Sequence, residues 1–438
     1  MAIFYNLKEA MKGGRAFFYF SLIFTALFFV FCLFEPWRSF CLHDGGQAPQ
    51  NESVYLAAVG LLLIIFIFYF LFFRKRLAGN YRWAFLIFFA LSFSLSLLWP
   101  LTSADLFSYI SQGRVWSIYG LNPYLYAYSS LPGDYFFSFL NNFWSFRTAP
   151  YGPVFMLVSG FFAWLSQFSL WWSLFGLKLF FAGLNIAVGY LIYRFRKDFF
   201  SFYLYAFNPL VLLEIIINGH NDILFVLFLV SAIFLAVRDK SKRIFWPCLF
   251  LALSILTKYL SLLLLPIWLI IFWRENQVER ERWRMILKVV AAFTCSALFY
   301  LPFLFNWQTI ISPLAGQARL VGFFVSPLII IITPLFKTFF LNYLGISITI
   351  SRGLFLIFYV WLLYRVWQKG NRGNLLYYSA LAFGAFLLSA FTWLMPWYFI
   401  ALIAMLSLLY SQPEYRRLAA ISLLIFTFYG IIYYFILR

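Results

Sequence analysis

The chain has 438 residues, of which 64% are hydrophobic and only 11% charged, with a mean hydropathy of +0.88. A soluble globule carries about 25% charged residues, so this composition excludes a water-soluble globule, a disordered chain, a coiled coil, a collagen and a secreted disulfide scaffold. The 33 Lys and Arg against 14 Asp and Glu leave a charge of +19, but the cations stand in short clusters between apolar runs. That is the pattern of cytoplasmic membrane loops, not of a nucleic-acid-binding surface.

A helix needs about 20 apolar residues to cross a bilayer. Runs of that length, or nearly so, lie near 16–34, 54–73, 83–99, 153–167, 172–193, 200–217, 222–237, 244–273, 285–305, 324–344, 347–366, 374–392, 396–410 and 418–437. They predict an all-α polytopic transmembrane helical bundle of about 11–14 spans. The run 244–273 is long enough for a broken pair. The chain reads as one integral-membrane unit over 1–438, with N-terminal spans in 1–99, a long outer loop in 100–150 and the rest of the bundle in 151–438. The first run is too long for a cleavable signal and has no small-residue cleavage site after it, so it reads as an anchor. Cys32, Cys41, Cys248 and Cys295 form no C-x-x-C pair, which argues against a cysteine metal site or a disulfide framework.

Seven clusters hold 24 of the 33 cations: Lys8/Lys12/Arg15, Arg74/Lys75/Arg76/Arg82, Arg194/Arg196/Lys197, Arg238/Lys240/Lys242/Arg243, Arg274 through Lys288, Arg365/Lys369/Arg372 and Arg416/Arg417. All seven are expected on the cytoplasmic side. The opposite loops, about 35–53, 100–150 and 306–323, hold only Arg38, Arg114, Arg147 and Arg319. Two apolar runs intervene between Pro150 and Arg194, and two between Arg319 and Arg365, where an odd number of crossings is required. One run of each pair is expected to be short, re-entrant or interfacial.

Segment 100–150 is long, aromatic and amphipathic, whereas ordinary connections run to about 6 residues. It is expected to lie along the outer face of the membrane and to work rather than merely connect. Scarcity then isolates the candidate chemistry. Of the 14 acids, seven (Glu9, Asp198, Asp239, Glu275, Glu279, Glu281, Glu414) sit in or beside cytoplasmic clusters and three (Glu35, Asp44, Glu52) in the first outer loop. Asp105, Asp134, Glu214 and Asp222 remain, with His43 and His220 the only histidines. Ionisable groups at membrane depth are costly and usually functional.

Asp105 follows Pro100, and Thr102 or Ser103 is placed to cap a helix beginning there. A carboxylate in a first helical turn is favoured as an anion. Asp105, Tyr109, Gln112 and Trp116 then share one helical face, suited to a sugar, although a purely capping role for Asp105 is equally open. Asn218-Gly219-His220-Asn221-Asp222 marks a surface turn or a cavity lip, and His220 beside Asp222 is a candidate acid–base pair or phosphate contact. Glu214 falls within a span and needs a partner, by preference a structural hydrogen bond in the bundle. Lys258 either snorkels to an interface or lines a polar site. Arg319, alone among the cations in 306–323, suits a phosphate. Trp397-Tyr398 belong to an aromatic outer turn, which an interfacial belt also explains.

Taken in order, several of these pieces resemble a known family. They are Asp105 with Ser108-Tyr109 and Gln112-Gly113; Gly120-Leu121-Asn122-Pro123-Tyr124; Tyr151-Gly152-Pro153; Asn208-Pro209 through Gly219-His220-Asn221-Asp222; Leu256-Thr257-Lys258; and Pro396-Trp397-Tyr398. The sequence resembles the GT-C glycosyltransferases, in particular the bacterial polyprenol-phosphate-mannose-dependent mannosyltransferases, over roughly residues 100–400. The resemblance implies that a sugar such as mannose moves from a polyprenyl-phosphate donor to a hydroxyl of a lipid-linked or cell-envelope glycan acceptor. The transfer would take place on the outer face of the cell membrane. It implies Asp105 as the base, because the family's acid at the start of the first large outer loop matches that position.

Leu106 stands where many relatives carry a second acid. That departure favours an inverting single displacement by one carboxylate over a metal-dependent mechanism; no cofactor is assigned, and a divalent metal is left open. The substrate-contacting set is expected to comprise Tyr109, Gln112, Arg114, Asn122, Tyr124, Tyr151, His220, Asn221, Asp222, Lys258, Arg319, Trp397 and Tyr398. Membrane lipids surround the protein, and nucleic acid is not a partner.

The chief alternative is a carrier or flippase for a lipid-linked sugar, but such folds commonly show internal repeats, and none is visible here. A non-catalytic scaffold would have no use for an outward-facing buried carboxylate. The topology is directly testable on a background without the native cysteines. A membrane-impermeant thiol reagent on intact cells should label a cysteine placed in 100–150 and spare one placed in Arg274–Lys288. The reverse result inverts the topology.

Overall fold

The computed structural model describes residues 16–17, 19–31, 52–75, 80–136, 142–167, 169–238, 244–303, 306–319, 325–337 and 340–436. Among them the regular structure is entirely helical, as apolar surroundings require: without water, backbone N–H and C=O groups must pair within their own segment. The first outer loop, with Cys41, His43, Glu35 and Asp44, lies outside the described residues.

In chain order the helices are α1 (Tyr19–Phe31), α2 (Glu52–Lys75), α3 (Tyr81–Ser96), α4 (Asp105–Ser117), α5 (Pro153–Leu165), α6 (Leu170–Arg196), α7 (Phe199–Ala206), α8 (Pro209–Ile217) and α9 (Asp222–Arg238). They continue as α10 (Phe245–Ile255), α11 (Leu265–Glu275), α12 (Glu279–Ala297), α13 (Gln308–Arg319), α14 (Pro327–Lys337), α15 (Tyr343–Lys369), α16 (Arg372–Ser389), α17 (Phe399–Tyr410) and α18 (Arg416–Ile436). Their ends carry ordinary chemistry. Asn80 caps α3 by accepting from the Arg82 N–H at 2.9 Å, and Asp198 caps α7 by accepting from the Ser201 N–H at 2.7 Å. Pro153 opens α5, where its missing N–H costs nothing.

Five helices among the described residues are long and apolar enough to cross a membrane: Leu56–Arg74, Leu170–Arg196, Glu279–Phe303, Tyr343–Lys369 and Arg416–Tyr434. The pair Phe199–Ala206 and Pro209–Ile217, bent by 43°, is a sixth if counted as one broken span and a re-entrant loop otherwise. Among the described residues, other apolar runs form helices of 10–17 residues, α5, α10 and α14 included. Both parity conflicts have the same form. The first run of each pair is the short one: α5 has 13 residues before the 27 of α6, and α14 has 11 before the 27 of α15.

The centre of the bundle is α7, α8 and α17. Every residue of α17 and of Leu212–Ile217 is buried; α17 is apolar almost all round, as a fully enclosed helix must be, while Leu212–Ile217 encloses Glu214. Around this centre pack α6, α9 and α18, while α12 and α15 keep most of their surface outward.

The segment 100–150 opens with a helix drawn into the bundle. From Asp105 to Val115 α4 is buried, seated against α5. Two glycines allow this approach: a Cβ on Gly113 would fall 2.5 Å from the Ser159 Oγ, and one on Gly160 would fall 2.3 Å from the Trp116 ring. A helix this polar tolerates burial because its hydroxyls bond their own backbone, Ser108 to the Asp105 carbonyl and Ser111 to the Ser108 carbonyl, both at 2.9 Å. Further along, the Arg114 Nε donates to both Asp134 oxygens at 2.9 and 3.1 Å, and Nη1 donates to the Gln167 carbonyl at 2.7 Å. Burial pushes the Asp134 carboxyl up, but Arg114 and the Phe136 N–H outweigh it and hold it below the ordinary carboxylate range. Tyr151-Gly152-Pro153 is laced to the break after α10: the Gly152 N–H donates to the Thr257 carbonyl at 3.1 Å and the Val154 N–H to the Leu256 carbonyl at 3.2 Å.

Two stability predictions follow from these fastenings. A Cβ at position 152 would stand 1.9 Å from the Leu256 carbonyl oxygen, so Gly152→Ala should destabilise the purified protein by about 1–3 kcal/mol. A thermal melt in detergent reads this directly. Arg114→Ala strands the buried Asp134 and should cost about 3–5 kcal/mol, with part of the loss recovered by Asp134→Asn in the same chain.

Candidate active site

Four interruptions of the helical bundle meet at one place: Leu101–Asp105 ahead of α4, Asn218–Asp222 between α8 and α9, Thr257-Lys258 after α10, and Pro396–Tyr398 ahead of α17. In the last turns of α8, Leu212–Ile217 widens into a π-helix, a form concentrated at functional sites. Gly219 follows with φ +74°, a conformation glycine adopts without penalty. A side chain there would also press on Leu106 and on the stem of Lys178.

Asn218 ties two of the breaks together. Its Oδ1 accepts from the Leu101 and Thr102 N–H groups at 3.2 and 3.0 Å. Its Nδ2 donates to the Thr102 Oγ1 at 2.6 Å and to the Glu214 Oε2 at 3.1 Å.

His220 is the hub. Its ring stacks on Trp397 with centroids 3.9 Å apart and planes within 20°. Nε2 lies 3.2 Å from the Glu214 Oε2, without the alignment of a hydrogen bond. Nδ1 lies 3.7 Å from the Asp105 Oδ2 and 3.3 Å from the Tyr109 hydroxyl. Beyond Glu214, its Oε1 accepts from the hydroxyl of Tyr434 in α18.

Beside this chain sits a second pair, the Lys258 Nζ at 2.8 Å from the Asp222 Oδ1. The ammonium stands 4.4 Å from the centre of the Tyr398 ring, with Phe225 and Tyr151 near 6 Å. The other Asp222 oxygen has no hydrogen-bond partner.

The three carboxylates differ in access. The Glu214 and Asp222 side chains are fully buried, whereas that of Asp105 retains 10% exposure. Burial raises the Asp105 carboxyl above its ordinary value, the neighbouring Asp222 and Glu214 push it further up, and the Lys258 ammonium pulls it back only part of the way. The helix-end effect expected to keep it ionised is therefore joined by a stronger, opposing desolvation. Its own N–H is satisfied by the Ser103 hydroxyl at 3.2 Å, while Thr102 serves Asn218 and Tyr434 instead.

The structure brings together Asp105, Tyr109, Tyr151, His220, Asn221, Asp222, Lys258, Trp397 and Tyr398. It places the other expected contacts elsewhere. Arg114 is engaged by Asp134. Asn122 donates to the Phe303 carbonyl and the Thr309 hydroxyl at 2.9 and 2.8 Å. Tyr124 packs edge-on against Phe303. Gln112 is buried one turn beyond Tyr109, with both amide atoms lacking hydrogen-bond partners. The side chain of Arg319 lies outside the described residues.

Three readings are sharpened. The 218–222 turn is buried, not a surface turn; Lys258 is 3% exposed and does not snorkel; and Trp397 and Tyr398 pack on His220 and Lys258 of the cluster. Lys178 was missed. It is fully buried in α6 and donates to the Leu98 carbonyl ahead of α4. It was detectable as a lone cation within an apolar run, the argument that singled out Lys258. Tyr434 is one of 29 tyrosines and had no such signal.

The family described as "Alpha-(1->6)-mannopyranosyltransferase, N-terminal domain" matches residues 36–274. The chain is 25% identical over 244 residues to Alpha-(1->6)-mannopyranosyltransferase A of Mycobacterium tuberculosis (strain ATCC 25618 / H37Rv), a match covering 52% of this chain. It spans 45% of that relative's length. No solved structure matches the chain. The family match extends over more than half of the chain and bears out the resemblance read from the motifs. The chain belongs to the alpha-(1->6)-mannopyranosyltransferase family.

Proposed function

We propose that the protein transfers mannose from a polyprenyl-phosphate donor to a hydroxyl of a lipid-linked or cell-envelope glycan, forming an α-(1→6) linkage at the outer face of the cell membrane. The observation that carries this reading is the difference in access among the carboxylates. Asp105 alone of the three in the cluster keeps exposed side-chain surface, and a base must touch its substrate.

The acceptor oxygen attacks the anomeric carbon and its O–H bond breaks, the proton passing to the Asp105 carboxylate. The bond from the anomeric carbon to the phosphate oxygen breaks at the same time, and its electron pair leaves with the lipid phosphate. A phosphate departs readily, so the reaction calls for a base, a cation and a dry pocket and not for a strong acid. Lys258 supplies the cation from within its aromatic surround. Tyr109, Tyr151, Trp397 and Tyr398 offer faces and hydroxyls to the sugars. One displacement inverts the configuration, so a β-linked donor yields the α-linked product.

Asp105→Asn keeps the size of the side chain and removes its basicity. Turnover with a panel of polyprenyl-phosphate sugars, read as release of lipid phosphate, should fall about 10²–10⁴-fold while donor binding persists. Because the Asp105 carboxyl is raised and acts as a base, wild-type kcat/KM should decline on acidification at a pH above the ordinary carboxylate range. A variant retaining more than about a third of wild-type turnover places the base elsewhere, since loss of a general base costs far more.

A further inference from the structure

Glu214 takes no part in that chemistry, yet it is the most thoroughly held group in the cluster. Its side chain is fully buried; Asn218 donates to one oxygen and Tyr434 to the other. A carboxylate sealed in a membrane bundle is costly and seldom idle. We propose that Glu214 is a positioning residue, which holds His220 so that the Nδ1 edge of the ring backs the Asp105 carboxylate. This rests on the reading of Asp105 as the base.

The geometry supports one division of labour. Trp397 fixes the plane of the imidazole and Glu214 faces its Nε2 edge at 3.2 Å. A carboxylate there favours the proton on Nε2, which leaves the Nδ1 lone pair toward Asp105. The other titratable or charged groups around this array are Tyr109, Tyr151, Asp222, Lys258, Tyr398, Tyr433 and Tyr434, from α4, the 151–153 loop, the start of α9, the break after α10, the turn before α17, and α18.

When the acceptor hydroxyl gives its proton to Asp105, the new Oδ2–H can donate to Nδ1 as the 3.7 Å gap closes. The Tyr109 hydroxyl, which faces Nδ1 in the resting site, has the Asn221 Oδ1 at 3.5 Å as its alternative acceptor. The protonated base is thereby stabilised as charge moves, and the proton later leaves to water by the exposed side of Asp105. The buried charge on Glu214 strengthens Nδ1 as an acceptor without ever meeting the sugar.

The test uses the full chain in lipid nanodiscs, with synthetic polyprenyl-phosphate mannose as donor and an α-mannoside as acceptor. Glu214→Gln retains the hydrogen-bonding shape and removes the charge; kcat should fall about 10–100-fold with donor KM within about twofold. Tyr434→Phe removes only the hydroxyl and should lower kcat by about 3–10-fold, which keeps the proposal testable should Glu214→Gln not fold. Because Glu214 acts through Asp105, the double variant with Asp105→Asn should be no slower than Asp105→Asn alone. Unchanged kcat in Glu214→Gln, a rise in KM matching the fall in kcat, or multiplied losses in the double variant would each overturn the positioning role. An active Asp105→Asn would instead overturn the assignment of the base, and the two failures are distinguishable.

Discussion

Charge buried inside an apolar bundle is the constraint from which the rest of this architecture follows. Asp105, Glu214, His220, Asp222 and Lys258 are each 7% exposed or less, in a chain whose bulk is hydrocarbon. Such groups persist only when partners surround them, and regular helices do not supply enough partners from one direction. The bundle therefore interrupts its helices where the charges lie: a π-turn at Leu212–Ile217, a break at Thr257-Lys258, and a short 3-10 turn at Pro396–Tyr398. Irregular backbone at membrane depth is tolerable only when it is enclosed by protein or lines a cavity. Here it does so by turning Asn218, His220 and Trp397 toward a common centre.

The close seating of α4 is a second consequence. Asp105 can approach His220 only because the helix it begins is drawn into the bundle, against α5 at Gly113 and Gly160 and beneath the turn at Gly219. Tyr151-Gly152-Pro153 closes the same space from the other side, hydrogen-bonded to Leu256 and Thr257, and so sets Tyr151 beside Lys258. Loop and cluster are thus one packed unit. The Arg114–Asp134 pair pins the far end of α4 and contributes nothing to the polar centre; its value lies in holding the outer loop as a body.

How much of this was legible in the sequence depends on scarcity and distance. Asp105, His220, Asp222 and Lys258 stood out because ionisable residues are rare in this chain, so each one in an apolar context asked for an explanation. The all-helical bundle was legible for the same compositional reason. The positions of the helix breaks were not, because apolarity does not reveal where a helix is interrupted to serve a buried charge. Partnerships were harder still. Tyr434 meets Glu214 across 220 positions and Asn218 meets Thr102 across 116, and nothing in either local sequence marks the pairing. Arg114 stands among the expected substrate contacts because its partner Asp134, 20 residues away, gives no local sign of the pairing.

The distribution of the cluster along the chain also bears on how the family's fold works. The family match ends at residue 274, and within it lie Asp105, Glu214, His220, Asp222 and Lys258. The groups that finish the site lie beyond that point. Trp397 covers the face of His220, Tyr398 lies against the ammonium of Lys258, and the Tyr434 hydroxyl occupies one oxygen of Glu214. Without them, Glu214 would keep its burial and lose a donor, the least favourable state for a carboxylate in low dielectric. The matched segment therefore carries the charges, and the helices after it make those charges bearable. A change in α17 or α18 reaches the polar centre through Trp397 or Tyr434, although neither helix bears an ionised group of the cluster.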